Sequence, residues 1–440
     1  MRAKALLSAA MDRTDTAQPA ATLRQLITVS IPAGWTLAGL IAGLGAGVLL
    51  ARTEVAEPVL AFAGPVGSLW LRALQVTIVP LVAALLVIGI AQMAQAARAG
   101  AAARRMLGWV IAVLVTSGVI GVLLTPVLLR LFPPPAAAAG VLSAGGEAQE
   151  VPGIGAFIES LVAPNIVAAA AETAMLPLTL FFVAFALAVV RLPDEQRELL
   201  LGVFRALANT MLMIIGAVLW VAPVGVFALA LGVGAASGGA AFATLAHYIL
   251  VVTAVGTTLL VGGYLLAWLA GGISPLRFGR ALIPAQAVAL STQSSLASLP
   301  AMLDSAERLK VREETAEFVL PLSVAILRAT SPAMNIAVAM YVAHLAGVDL
   351  TPMSMIAGVA VAIVIAIGSV SLPGTISFVI SIGPIALAMG VPIGPLALLV
   401  AVEMMPDIMR TIANVTMDVA VTTAVDRHQP ADEPSDALQP

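Results

Sequence analysis

Apolar stretches long enough to cross a lipid bilayer recur along this chain, at about 31–51, 58–95, 106–131, 154–191, 199–232 and 242–270. Crossing roughly 30 Å of hydrocarbon as a helix takes about 20 apolar residues. Within lipid a backbone must satisfy its own polar groups, so stretches of this kind read as helices. An all-α polytopic membrane protein is the expected fold class. Several stretches exceed what a perpendicular crossing needs, so tilted or broken helices are expected. Composition agrees, with 60% hydrophobic and 10% charged residues, against about 25% charged in a typical soluble domain. The organisation is then a lead over 1–30, one integral membrane domain over 31–426 and a tail over 427–440.

Several function classes drop out early. The net charge is −3 and basic runs are absent, which removes nucleic acid as a partner. The chain has no Cys, so disulfides, thiolate nucleophiles and Cys–metal sites are excluded. The opening "MRAKALLSAAMDRTDTAQPAATLRQ" has an interrupted apolar run followed by a polar stretch. It reads as a cytoplasmic lead rather than a signal peptide.

Basic residues gather near one set of span ends: Arg2, Lys4, Arg13 and Arg24, then Arg98, Arg104 and Arg105, then Arg191 and Arg197, and later Arg277, Arg280, Arg308, Lys310, Arg312 and Arg427. The loop "PPPAAAAGVLSAGGEAQEVPG" carries Glu147 and Glu150 and no Lys or Arg. The positive-inside rule then places both termini in the cytoplasm of a multi-pass inner (plasma) membrane protein, with an even number of full crossings. The tail "HQPADEPSDALQP" is Pro-rich and acidic and reads as disordered.

The last third is interrupted. Residues 278–303 and 357–388 each contain a polar, Ser-rich break with a Ser-Leu-Pro, at Ser298-Leu299-Pro300 and Ser371-Leu372-Pro373. About a dozen residues on either side give roughly 18 Å of helix, too short to cross. Two half-helices meeting at a polar tip make a re-entrant hairpin, and its tip must lie in protein or a watery cavity. A Pro-kinked helix is the plainer alternative. Between these segments, Thr330, Ser331 and Pro332 interrupt another apolar run, flanked by Arg328 and Asn335. Pro332 is expected to remove a donor and disturb the carbonyl four residues earlier. Exposed carbonyls at membrane depth ligate cations or substrate; a simple kink is again the alternative.

The stretch "PDIMRTIANVTMD", residues 406–418, carries the densest chemistry. At 100° per residue, Glu403, Asp407, Arg410, Asn414 and Asp418 share a stripe about 80° wide. It climbs about 22 Å. A charge at the bilayer centre costs about 2.5–3.5 kcal/mol even on the lenient scale, so the stripe must face a cavity or polar protein. A structural ladder, Asp407–Arg410 and Arg410–Asn414, is the bland explanation. Three acids against one Arg favour cation ligands instead. A fixed guanidinium beside a carboxylate also suits a zwitterionic acid: Arg clamps a carboxylate, and Asp accepts from an ammonium.

Two Ser-Pro breaks, a broken helix and a last helix reading D-x-x-R-x-x-x-N-V-T-x-D together resemble the dicarboxylate/amino acid:cation symporters, the glutamate transporter family. The resemblance runs from "PVGSLWLRALQVTIVP" to "DVAVTTAV". It implies eight transmembrane helices plus two re-entrant hairpins, built as inverted repeats, in an elevator-type homotrimer. The scaffold would span about 31–95 and 154–232, and the transport domain about 106–131 and 242–426. No cofactor is implied beyond a coupling ion, Na+ or H+.

Residue by residue, the resemblance implies that Asp407 takes the substrate ammonium and Arg410 its side-chain carboxylate. Asn414 and the first tip, Ser294 and Ser295, would hold the α-carboxylate, with Thr330 and Ser331 lining the site. The second tip, Ser371, Leu372, Pro373, Gly374, Thr375 and Ile376, would be the gate. Asp418 would ligate a cation; Thr116 and Ser117 match a pair near such a site, and Ser369 joins this group. Departures matter too. The first tip has two consecutive serines where the family has three. Where the family's broken helix reads N-M-D-G-T, this chain has Leu327, Arg328, Ala329, Thr330 and Ser331. A cation-binding Asn and Asp are gone and a guanidinium has arrived. Sodium dependence is therefore expected to be reduced, with Arg328 balancing Asp418 and a proton on Glu403 or Asp407 as the substitute.

Three alternatives define the contrast. A carrier of C4-dicarboxylates such as succinate, malate or fumarate would use Arg328 and Arg410 together, but leaves Asp407 unpaired beside an anion. An anion channel would pass current far exceeding substrate flux. An enzyme would need a base beside its Ser-rich breaks, and the histidines, His247, His344 and His428, lie near span ends or in the tail.

Overall fold

The computed structural model describes residues 33–51, 53–98, 100–135, 159, 161–237, 240–368 and 374–428. Among these the chain is helical, with no strand. Five segments are long and apolar enough to cross a membrane: Ala56–Ala97, Ala101–Leu131, Asp194–Trp220, Ala240–Leu269 and Glu313–Ala346.

The expected breaks occur where the sequence runs long. The stretch at about 58–95 is two helices, α1 having already passed as Ala33–Leu50: α2 (Ala56–Gln75) and α3 (Ile78–Ala97). After α4 (Ala101–Leu131), the fourth stretch divides into α5 (Ile166–Ala171) and α6 (Met175–Val189), with Thr173 left-handed between them at φ 57°. The fifth divides at Val221 into α7 (Asp194–Trp220) and α8 (Ala222–Ser237). There the indole of Trp70 donates to the Val218 carbonyl at 3.0 Å.

The packing of α1 on α8 rests on absent side chains. Gly39, Gly43 and Gly47 recur every fourth residue, and a Cβ on each would lie 2.5, 2.5 and 2.2 Å from the carbonyl oxygens of Pro223, Phe227 and Leu231. Small residues at this spacing let helix backbones approach where lipid supplies no hydrophobic drive between them. Helix α2 also packs on α8, and α3 packs on α6 and α7.

The later helices make a second network. They are α9 (Ala240–Leu269), α10 (Pro275–Thr292), α11 (Leu299–Arg308), α12 (Glu313–Ile326), α13 (Ser331–Ala346), α14 (Pro352–Gly368), α15 (Gly374–Ala388), the short α16 (Leu396–Leu399) and α17 (Met404–Arg427). Helices α9, α10, α11 and α12 all pack on α17, and α13 packs on α4 and α9. Gly121 lets the α4 backbone approach Ala333, whose carbonyl oxygen a Cβ would meet at 2.8 Å. Helices α10 and α11 pack against each other, as do α14 and α15. Residues 369–373, and with them Ser369, Ser371, Leu372 and Pro373, lie outside the described residues, as do the side chains of Gly374, Thr375 and Ile376.

The outside is apolar and the inside is charged. On α4, Ile111, Val115, Val119, Leu123 and Val127 form an exposed stripe at four-residue spacing. On α17 every residue from Ala413 to Val425 is buried, Asp418 included. A helix that is buried all round lies in a protein core, so α17 is wrapped by protein.

Candidate functional site

The helix break between α12 and α13 satisfies itself through its neighbours. Leu327 is extended, at φ −92° and ψ 102°, which ends α12. Pro332 falls in the first turn of α13, where its missing N–H costs no helical bond. The expected disturbance four residues earlier is absent: the Arg328 carbonyl accepts from the Ser331 N–H at 3.0 Å. The remaining first-turn donors also find partners. The Ala333 N–H donates to Ser117 Oγ at 3.1 Å and the Met334 N–H to the Thr330 carbonyl at 3.0 Å. Thr330 donates twice to Asn414 Oδ1, through its backbone N–H and its hydroxyl, each at 3.0 Å.

Asn414 is therefore turned toward the break, and the Arg410–Asn414 rung of the ladder does not form. Arg410 instead reaches back along α17 and across to α13. Its Nη2 donates to Glu403 Oε1 at 2.8 Å, its Nε lies 3.4 Å from Asp407 Oδ1, and its Nη1 donates to Asn335 Oδ1 at 2.9 Å. Asn335 is fixed in turn by donating from Nδ2 to Ser331 Oγ at 3.0 Å. Tyr248 of α9 donates to the other oxygen of Glu403 at 3.2 Å. Glu403 is 1% exposed and Arg410 7%, so these groups interact away from bulk water, where charge-assisted bonds are strongest.

A second charged group lies deeper on α17. Asp418 is fully buried, and neither of its carboxylate oxygens receives a hydrogen bond from the described residues. Arg328, buried in the break, acts electrostatically on both Asp407 and Asp418. Two bare carboxylate oxygens are donor chemistry that suits a hard cation. No group of three or more His, Cys, Asp or Glu converges among the described residues. Ala329 contributes no side-chain oxygen.

The other candidate residues are spread more widely. Ser117 is buried and bonded to the break, whereas its neighbour Thr116 faces outward into a groove with Trp109, Gly262 and Met417. At the first tip, α10 ends in a left-handed Gln293 at φ 51°. Ser294 Oγ accepts from the Ala297 N–H at 3.2 Å, and the Ser294 carbonyl accepts from the Ser298 hydroxyl at 2.9 Å. The Ser295 carbonyl accepts from the Ser298 N–H at 3.2 Å. Among the described residues the hydrogen bonds of this tip stay within it, and none joins it to Asn414. Gln286 ties α10 to α17 by donating to Thr416 Oγ1 at 2.9 Å.

Two contributors were not assigned roles from the sequence. Asn335 stood beside the break, four residues after Ser331, a spacing that puts both on one helix face. Tyr248 is one of only three tyrosines in the chain. A phenol inside an apolar span needs a partner, which was the available signal.

An all-helical chain, apolar outside and with an arginine–carboxylate network enclosed at its centre, is a polytopic membrane protein. The chain belongs to the sodium:dicarboxylate symporter family, which it matches over residues 33–428. It is 30% identical to the proton/glutamate-aspartate symporter of Escherichia coli K12 over 80% of this chain and 82% of that one. It is 26% identical to the proton/sodium-glutamate symport protein of Bacillus subtilis, covering 85% and 88%. A C4-dicarboxylate transport protein 1 of Pseudomonas aeruginosa is 28% identical over about half of each chain, 52% and 51%.

Proposed function

We propose that this protein is a secondary active symporter of small acidic amino acids, L-aspartate or L-glutamate. The observation that carries the reading is the buried pair of Arg410 and Asp407 on adjacent turns, 3.4 Å apart. Together they offer a guanidinium for a side-chain carboxylate and a carboxylate for an ammonium. Asn414, with Ser294 and Ser295 of the first tip, holds the α-carboxylate, and Thr330, bonded to Asn414, and Ser331 line the site from the break. The names of the Escherichia coli and Bacillus subtilis relatives agree with this substrate class.

The transport unit in this proposal has eight transmembrane helices and two re-entrant hairpins, α10–α11 and α14–α15. The elements at about 106–131 and 242–426 move as an elevator against a trimeric scaffold, with both termini cytoplasmic. The second tip is the gate. Sodium dependence is reduced, because Arg328 supplies near Asp418 and Asp407 a positive charge that is not transported.

A C4-dicarboxylate substrate is the second reading, favoured by the Pseudomonas relative and by two buried arginines, Arg328 and Arg410. Uptake of labelled aspartate and succinate into proteoliposomes, with sodium and proton gradients imposed separately, decides between them. The expected result is proton-driven aspartate uptake that succinate inhibits poorly. Strong succinate uptake without aspartate uptake would overturn it.

A further inference from the structure

We propose that Glu403 is the proton carrier of this symporter, released from Arg410 by the arriving substrate carboxylate and neutralised by a proton as it leaves. The proposal rests on the acidic-substrate reading and specifies how its coupling works.

Both oxygens of Glu403 are engaged, Oε1 by Arg410 at 2.8 Å and Oε2 by Tyr248 at 3.2 Å. Arg410 in turn has no idle nitrogen: Asn335, Glu403 and Asp407 face its Nη1, Nη2 and Nε. A substrate carboxylate that takes the guanidinium fork must displace what is there. Asn335 is neutral and can yield or share. Glu403 and Asp407 are both anions, and a further carboxylate on the same guanidinium repels each of them; Asp407 gains the substrate ammonium as its partner, so Glu403 is the group expelled. It then keeps only the neutral Tyr248 hydroxyl. A carboxylate this deeply buried and without a cation is not sustained. A proton from the outer solution replaces the guanidinium. On release of substrate inside, Arg410 returns to Glu403 and that proton is discharged.

The charge count agrees. The buried charged residues among those described are Arg328, Arg410, Glu403, Asp407 and Asp418, formally one negative charge in excess. Aspartate adds one more, and one proton restores the starting value. A dicarboxylate without an ammonium would need two.

The surroundings of Glu403 contain few other candidates. Arg410 and Asp407 face it from α17, Tyr248 from α9 and Asn335 from α13, with Arg328 beyond Asp407 in the break. Tyr341 of α13 packs edge-on against Tyr248, with ring centroids 5.4 Å apart. Its hydroxyl lies 3.0 Å from Nδ1 of the partly exposed His247. The other nitrogen, Nε2, contacts the Phe132 carbonyl at 2.8 Å. His247 thus links the exposed segment at Phe132 to Tyr341, which packs on the Tyr248 that holds Glu403.

The test uses the full chain in proteoliposomes and reads two quantities: exchange of labelled for internal unlabelled aspartate, and stimulation of uptake by an inward proton gradient, normalised to each variant's own exchange rate. Wild type should exchange, respond to the gradient and alkalinise the outer medium when aspartate is added. Glu403→Gln should lose the gradient response and the alkalinisation. A Glu403→Gln protein that keeps both would overturn the proposal while leaving the substrate reading intact. Wild type without any aspartate exchange would overturn the substrate reading, and the proposal with it. Tyr248→Phe, which removes only the neutral donor, should move the pH of half-maximal uptake upward; an unchanged profile would also count against the proposal.

Discussion

The guanidinium of Arg410 donates to Glu403 Oε1 at 2.8 Å, seven residues back along the chain. That separation is two helical turns, and both side chains must extend to close it. The pair holds Arg410 near Asp407, and in the proposed function an acidic substrate has to compete with it.

Replacing Arg410 by Ala is expected to abolish useful affinity for acidic substrates in a protein that still assembles. Losing a desolvated charge-assisted partner costs on the order of 2–5 kcal/mol. Affinity should fall by roughly 30-fold or more, at about 1.4 kcal/mol per tenfold. Aspartate titration of purified Arg410→Ala by calorimetry checks this, and an unchanged dissociation constant would remove Arg410 from the site.

Arg328→Ala is expected to create sodium dependence. Without the guanidinium, Asp418 has neither a hydrogen bond nor a fixed counter-charge in the break. A buried carboxylate in that condition recruits a cation or a proton. Aspartate uptake should survive replacement of sodium by choline in wild type and fall sharply in the variant. Near-complete loss in wild type would contradict the role given to Arg328.

Asn414→Ala should destabilise the protein even without substrate. Both the backbone N–H and the hydroxyl of Thr330 donate to Asn414 Oδ1. Buried donors left without an acceptor cost about 1–3 kcal/mol each. A lowered thermal midpoint in detergent, at zero aspartate, is the expected signature; a purely substrate-binding Asn414 would leave that midpoint unchanged.

Gly47→Val should lower the thermal midpoint without altering aspartate affinity. Its new Cβ would sit 2.2 Å from the Leu231 carbonyl oxygen and 2.8 Å from the Ala235 nitrogen. Backbone atoms cannot rotate aside, so α1 must move off α8. Overpacking of this kind costs about 1–3 kcal/mol or more. Tryptophan fluorescence during heating measures it, and wild-type stability would show that the seam is not close-packed.

Much of this protein was legible in one dimension. Apolar length fixed the helical class, because lipid leaves a chain few other ways to satisfy its backbone. The period of α17 put Glu403, Asp407, Arg410, Asn414 and Asp418 on one stripe, and their charge required that stripe to be enclosed. Which partners they take was decided by the tertiary structure. Helical side chains lean toward the N-terminus of their helix, so Arg410 reaches back to Asp407 and Glu403 and leaves Asn414 free. Asn414 then goes to Thr330 only because α13 begins beside it. Asn335 and Tyr248, from α13 and α9, complete the network across long sequence separations. Periodicity sorts residues onto a face of one helix. It carries no information about which helix that face will meet, and hydrogen bonds that close a charged site depend on that meeting.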